Sequence, residues 1–488
     1  MMKKEYHLIV YYLSFFVILI GFVQLIPLVV LPFYPDEIIY APHFIVPGVL
    51  SILGGLVVRS CYKNFKIMQL PSFYDSILVV ITWISAIVIS AVPWMLTGHY
   101  NFTQAIFEMT SGYSTTGLSV VDVTHCPHIF LFFRTVTLFV GGVGLVLVVT
   151  SVLSDRLGLN LYHAEGHSDR LLPNLAKSAQ LILSIYSFYI VAGTIAYVIA
   201  GMDWFAAINH SVACLSTGGF SVHPQSIYGY HSAVIEIITI VLMILGNTNF
   251  LVHYFLIKRR FKTVLHHCEI RFMIIALLIV VPLMAVILVS NCYEHSFIES
   301  LRISVFQLVS ALSTTGFQSV ETMKELPNGF LSILILAMVI GGGIESTAGG
   351  IKQYRFVLSI KSLAHYIRQS MSNTHVIRTN YIQRAGKKIE LSDGEVKNTS
   401  FFIIVYLIFF FIGSWIFTCF GYNLQDAMFE FSSSLSTVGL SVGIVGYSAH
   451  PIILWTSTIG MFIGRLEIII VFHVIIRVLY DIKKKELT

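Results

Sequence analysis

Ser114-Thr115-Thr116-Gly117, Ser216-Thr217-Gly218-Gly219, Ser313-Thr314-Thr315-Gly316 and Ser436-Thr437-Val438-Gly439 are four copies of one short pattern, Ser-Thr-x-Gly. Each follows a short apolar-aromatic stretch and precedes a long apolar run. Aligned on the last glycine and counted back twelve positions, they give Ala105-Ile106-Phe107-Glu108, Ala207-Ile208-Asn209-His210, Ser304-Val305-Phe306-Gln307 and Ala427-Met428-Phe429-Glu430. A small residue, an apolar residue, usually an aromatic and then a polar group recur in register. One Ser-Thr-x-Gly is only a turn; four in register are an internal repeat, and sites in duplicated membrane proteins form between the repeats.

Composition fixes the solvent. Hydrophobic residues make up 56% and charged residues 11% of 488, with mean hydropathy +0.81. No water-soluble domain of this size is so apolar, so the chain reads as an all-α polytopic membrane protein. Ten runs reach the roughly 20 residues needed to cross the hydrocarbon: 8–32, 41–58, 74–97, 129–153, 179–201, 232–257, 271–291, 329–351, 400–420 and 451–480. The first is too long for a signal-peptide core and reads as a spanning helix. Segments 102–113, 204–215, 298–312 and 424–435 are too short to cross. Each ends at a Ser-Thr-x-Gly, as a re-entrant helix and loop would, and irregular backbone at that depth is tolerated only along an aqueous path.

The expected organisation is two leading helices (1–66) and four pseudo-symmetric units of helix, pore helix, loop and helix around one axis: 67–160, 161–262, 263–398 and 399–488. Threading ten helices from a cytoplasmic N-terminus places all but four of the 30 Lys and Arg residues on the inner side, the exceptions being Arg134, Arg302, Lys324 and Arg465. The four loops then lie toward the outer face. The long inner stretch Tyr354–Asn398 reads equally as a segment facing lipid headgroups and as a docking surface for a soluble partner. The six cysteines are scattered, without a CxxC pair, and read as apolar filler.

The loops carry the chemistry. Potassium is large and weakly hydrated, and a ring of backbone carbonyls offsets its dehydration without binding it too tightly. Glycine permits the backbone angles that such a ring needs. The candidate ion-coordinating residues are Thr115, Thr116, Gly117, Thr217, Gly218, Gly219, Thr314, Thr315, Gly316, Thr437, Val438 and Gly439. Glu108 and Glu430 read as hydrogen-bonding behind the loops. A second glycine cluster, Gly341-Gly342-Gly343, followed by Glu345-Ser346-Thr347-Ala348-Gly349-Gly350-Ile351-Lys352, breaks the eighth run in mid-membrane. It lacks the Gly-Lys-Ser/Thr of a phosphate-binding loop. Arg465, inside the last run, is costly unless paired or facing water; Glu467 or Glu345 would be its partner in a structural ion pair, and otherwise it is a positive barrier on the ion path. His163, Glu165 and His167, and His266, His267 and Cys268, are incomplete as zinc sites.

These motifs resemble the membrane subunit of the Trk/Ktr/HKT family of potassium transporters, nearest its TrkH-like branch, over nearly the whole chain. Flanking strings carry the resemblance further: Gly141-Gly142-Val143-Gly144, Leu161-Tyr162-His163-Ala164-Glu165, Asn249-Phe250-Leu251-Val252-His253 and Gly464-Arg465-Leu466-Glu467. The resemblance implies potassium uptake across the cell (inner) membrane, with K+ as transported ion and no organic cofactor. It also implies a homodimer and a cytosolic nucleotide-binding regulatory subunit of the TrkA-like kind. It assigns gating to an intramembrane loop containing Gly341, Gly342, Gly343, Glu345, Gly349, Gly350 and Lys352, with Arg465 beside it. The usual loop pattern is close to GSTGGGIK, so Glu345 and Ala348 stand where glycines are expected, and a stiffer loop follows. Sodium or unselective cation transport on the same fold is the alternative; an organic-solute carrier or a membrane enzyme fits less well, and the chain is read as a non-enzyme.

Overall fold

The computed structural model describes residues 2–63, 74–144, 175–291, 296–371, 379, 381–384 and 386–486. The leading helices are α1 (Met2–Leu25) and α2 (Ala41–Cys61). The first unit is α3 (Tyr74–Leu96), α4 (Phe102–Tyr113) and α5 (His128–Val143). The second is α6 (Leu175–Ile199), α7 (Trp204–Leu215), α8 (Ala233–Asn247) and α9 (Phe250–Ile257), followed by the short α10 (Phe261–Leu265). The third is α11 (Cys268–Asn291), α12 (Phe297–Leu312) and α13 (Asn328–Ile340). After it come α14 (Gln353–Ser370) and a hairpin of β1 (Tyr381–Arg384) and β2 (Lys387–Glu390). The fourth is α15 (Asp393–Cys419), α16 (Leu424–Leu435), α17 (Pro451–Leu466) and α18 (Ile468–Glu486).

The short helices α4, α7, α12 and α16 start and stop within a residue of the sequence expectation. Three of their N-termini carry side-chain caps: Asn101 with Gln104 in a capping box, Asp203, and Ser296, each accepting from a first-turn amide. Their C-terminal halves are buried at the centre of the molecule. The long helices α3, α6, α11 and α15 surround them and expose apolar side chains outward, among them Ile84, Ile195, Leu278 and Phe411. That is the pattern of a bundle whose outer solvent is lipid.

The ten expected runs do not all appear as straight helices. Among the described residues six helices are long and apolar enough to cross alone, and eight if each sharply bent pair is one span. The run 232–257 bends by 109° between α8 and α9, and the run 451–480 by 99° between α17 and α18. Runs 129–153 and 329–351 give helices that stop at Val143 and Ile340, before Gly144 (φ 94°) and Gly341 (φ 70°). Only the Gly341 break was expected. In the second, third and fourth units the second long helix is therefore interrupted, and hydropathy misses this because apolar residues continue past each break; residues 145–153 of the first unit lie outside the described residues. The stretch 354–398 also holds an antiparallel β-hairpin, β1 paired with β2.

Candidate functional site: a ring of four loops and the segment beneath it

All four short helices end alike. The serine after the last turn keeps near-helical angles, and the threonine that follows turns left-handed: Thr115 (φ 55°), Thr217 (51°), Thr314 (53°) and Thr437 (53°). The Thr115 amide donates to Gly112 O (3.1 Å) and the Thr116 amide to Ser111 O (2.9 Å). The same two bonds recur as Thr217 to Cys214 and Gly218 to Ala213, Thr314 to Ala311 and Thr315 to Ser310, and Thr437 to Ser434 and Val438 to Ser433. This is the Schellman ending, whose left-handed position normally belongs to glycine. A β-branched residue there costs ~1–2 kcal/mol. The cost recurs at one position in four units, so something other than backbone economy keeps threonine there.

Two residues on, Gly117, Gly219, Gly316 and Gly439 all have positive φ (91°, 59°, 84° and 102°). A Cβ on Gly117 would lie 2.4 Å from the carbonyl oxygen of Gly218, and one on Gly219 2.1 Å from that of Thr315. On Gly316 it would lie 2.0 Å from the carbonyl of Val438, and on Gly439 2.2 Å from that of Thr116. Each contact goes to the next unit, and the fourth returns to the first. The loops form a closed ring with no room for a side chain at any of its four glycines.

The ring is held from behind. Glu108 accepts from Ser119 Oγ (3.0 Å) and the Val120 amide (3.0 Å), and lies 2.9 Å from Arg134 Nε, with both side chains buried. Glu430 accepts from Ser441 Oγ (2.7 Å) and the amides of Val442 (2.9 Å) and Val445 (3.0 Å). His210 Nε2 pairs with Ser221 Oγ (3.1 Å), and Gln307 donates to Ser319 Oγ (3.4 Å). The aligned polar residue of each short helix thus ties down the strand leaving the loop, as expected for Glu108 and Glu430. The ion pair also explains why Arg134 defied the charge rule.

Segment 341–352 packs directly against the ring's underside. Thr217 Oγ1 donates to Thr347 Oγ1 (3.0 Å), and the Gly349 amide donates to Thr314 Oγ1 (2.8 Å). A Cβ on Gly349 would fall 2.2 Å from Thr437 Oγ1. Three of the four left-handed threonines therefore present their hydroxyls to this segment. The segment is anchored on every side. The Gly343 amide donates to Asn247 Oδ1 (2.9 Å), the Ile344 amide to Glu269 Oε1 (2.7 Å), and Asn249 Nδ2 to Ile344 O (2.8 Å). Thr347 Oγ1 reaches Leu215 O and Gly246 O (3.0 and 3.1 Å), and Lys352 Nζ reaches Ala348 O. Inside it, the Gly342 amide donates to Gly349 O (3.1 Å); Gly341 and Gly350 (φ 80°) are left-handed, and Ala348 is buried. Glu345 (φ 55°) and Lys352 (φ 87°) adopt positive φ angles uncommon outside glycine.

Arg465 sits at the edge of this segment. Its Nη1 donates to Thr347 O (2.8 Å) and its Nη2 to the carbonyls of Gly141 and Gly142. The ion pairs expected with Glu467 or Glu345 are not its geometry: Glu467 pairs with Arg355 (2.8 Å) and Glu345 with Arg384 (3.5 Å). A polar cavity of about 50 Å³ lies below, lined among others by Glu345, Lys352, Arg465 and Glu467, large enough to hold water. Asn247, Asn249, Glu269 and Arg384 were missed by sequence reading. A signal existed for two of them, since Asn247-Thr248-Asn249 puts three polar residues in the middle of an apolar run. His163, Glu165 and His167 lie outside the described residues; His267 Nδ1 is 3.8 Å from Glu269, and no cluster of three metal-ligating side chains occurs among the described residues.

The profile of the TrkH family, cation transport proteins, matches residues 49–481. The chain belongs to that family. A Trk system potassium uptake protein TrkG of Escherichia coli is 29% identical over 93% of this chain and 94% of its own. An uncharacterized cation transporter of Methanocaldococcus jannaschii is 26% identical over 96% of this chain and 94% of its own. The crystal structure of the potassium transporter TrkH from Vibrio parahaemolyticus superimposes with TM-score 0.83 at 23% identity, covering 96% of this chain and 98% of that one.

Proposed function

We propose that this protein takes up potassium through the ring of four loops, with residues 341–352 as the gate. The observation that carries the reading is ring closure: each ring glycine abuts a carbonyl of the next unit, the fourth abutting the first. Four short helices end at the ring, and each directs the negative end of its dipole, about half a charge, toward it. A dehydrated cation is stabilised there by dipoles without a fixed anion that would trap it. Inward flux needs no chemical step, since ~2.3 kcal/mol per charge per 100 mV drives it. The related uptake proteins point to K+ as the ion.

In this reading the chain is a multi-pass protein of the cell (inner) membrane with a cytoplasmic N-terminus and the ring toward the outside. The distribution of Lys and Arg supports that orientation. Segment 341–352 occupies the ion path below the ring and moves aside for conduction, and Arg465 adds a positive barrier. The family resemblance supports a homodimer and a cytosolic nucleotide-binding partner acting from the inner side.

Rubidium and potassium uptake in cells lacking their own potassium uptake tests the ring, with Gly117, Gly219, Gly316 and Gly439 changed to Ser one at a time. Loss of potassium preference in each supports it. Unaltered selectivity in all four overturns it, and sodium-dominated flux through the unaltered protein replaces potassium with sodium as the ion.

A further inference from the structure

A cavity of about 660 Å³ opens on the side of the molecule away from the ring, between α11, α14 and the hairpin. Its rim carries the cations Arg271, Lys361 and Lys388, with the imidazole of His266 beside them. Its wall is apolar: Phe272, Ile275, Val357 and Ile360. No acidic residue is among the described residues lining it. The polarity is graded along α11. Arg271 and Ile275 are one turn apart on one face, and the face continues through the exposed Leu278 (71%) and Ile279 (65%) on a helix apolar enough to span the membrane.

We propose that this cavity binds the headgroup of an anionic phospholipid, and that the bound lipid holds the gate segment closed. The rim supplies cations for a phosphodiester and the outward α11 face supplies a track for its acyl chains. Basic pockets between spanning helices on the inner side recognise headgroups in this way. The coupling runs through β1, whose side chains alternate between two faces. Tyr381 and Gln383 line the cavity, with Lys388 of β2 opposite Gln383. Ile382 is buried against Cys268, Tyr354 and Leu358, and Arg384 pairs with Glu345 of the gate segment (3.5 Å). Lys361 Nζ donates to Tyr381 O (3.0 Å), tying the cationic rim to the strand. An isolated two-stranded hairpin is marginal on its own, so what fills the cavity decides how firmly Arg384 is presented. The coupling, though not the binding, rests on the reading of 341–352 as a gate.

The test uses the full chain in vesicles of phosphatidylcholine alone or mixed with phosphatidylglycerol, with native mass spectrometry for bound lipid and rubidium influx for the gate. Phosphatidylglycerol should be retained over phosphatidylcholine, and Lys361→Gln with Lys388→Gln should weaken retention by about fivefold per charge. Lys397→Gln, exposed and away from the cavity, should not. Influx should be lower with phosphatidylglycerol; the double variant should abolish that difference, and Arg384→Gln should abolish it while still retaining the lipid. Free inorganic phosphate with phosphatidylcholine should reproduce neither effect; if it does, the ligand is an anion and not a lipid. Equal retention of the two lipids, or retention indifferent to the double variant, overturns the site. Retention intact with a lipid effect that survives Arg384→Gln overturns the coupling. The ratio of rubidium to sodium influx in the same vesicles reports on the potassium reading separately.

Discussion

At the level of the ring the four units are nearly interchangeable; one layer below they diverge. The ring repeats a Schellman ending, a left-handed threonine and a glycine against its neighbour's carbonyl four times. Beneath it the second helices break differently. The first stops at Gly144, the second at Thr248 between Asn247 and Asn249, the third opens into 341–352, and the fourth turns at Glu467 just after Arg465. A spherical ion on an axis asks for equal oxygens around it, and repetition provides them. On the proposed reading, a plug on the same axis must enter from one side and be held from the others, and that requires the units to diverge.

The largest test of the ring level is its frame. Arg134→Gln would leave Glu108 buried without its cation, and breaking such a pair costs ~3–5 kcal/mol. Thermal unfolding of the detergent-solubilised protein should fall by many degrees, whereas Ser441→Ala beside Glu430, which retains two amide donors, should cost only ~1 kcal/mol. Equal losses would mean that repeats one and four are framed by the same device. Next is the ring itself. Gly316→Ser places a Cβ 2.0 Å from the Val438 carbonyl and must displace it. Removing one carbonyl from an ion's shell is worth ~3 kcal/mol, roughly 100-fold in potassium over sodium uptake. The same change in any other unit should do comparable damage; a unit that tolerates it would break the equivalence.

The ring was legible in the sequence because the elements that build each of its loops are local, and their recurrence implies the closure between units. The helix end, the threonine and the glycine lie within a few residues, and fourfold recurrence marks them. The layer below was not legible because its partners are remote in sequence. Arg465 meets Thr347 across 118 residues, Asn247 meets Gly343 across 96, and Glu269 meets Ile344 across 75. Hydropathy carries no information on such pairs. The ion-pair alternative for Arg465 had named Glu467, which is near in sequence but turned toward Arg355. The Gly341 break was foreseen from its glycine cluster; the bend at Glu467 falls on a non-glycine residue with φ 61°, which leaves no trace in composition.

Arg465→Ala probes the lower layer alone. It removes a charge and two sets of carbonyl contacts from the edge of 341–352. At an effective dielectric of about 20, a unit charge repels a cation roughly 8 Å away by ~2 kcal/mol, so influx should rise about tenfold or more. Potassium preference should stay as it was, because the ring is untouched. A change in selectivity would show that the two layers are not separable.

Glu345 gives the smallest and sharpest test, because two of its features act in opposite directions. Its left-handed backbone strains the docked segment by ~1 kcal/mol relative to glycine, while its carboxylate ties the segment to Arg384. Glu345→Gln keeps the strain and removes the charge, so the segment is held less well and rubidium influx should rise severalfold. Glu345→Gly removes both. The relaxed backbone then favours the docked state again, and influx should fall below that of the Gln variant by up to about fivefold, the factor that ~1 kcal/mol supports. If the two variants conduct equally, the strain at residue 345 is not felt by the gate. If Gly conducts more than Gln, backbone freedom opens the segment instead of settling it, and the docked state is held by stiffness more than by its contacts.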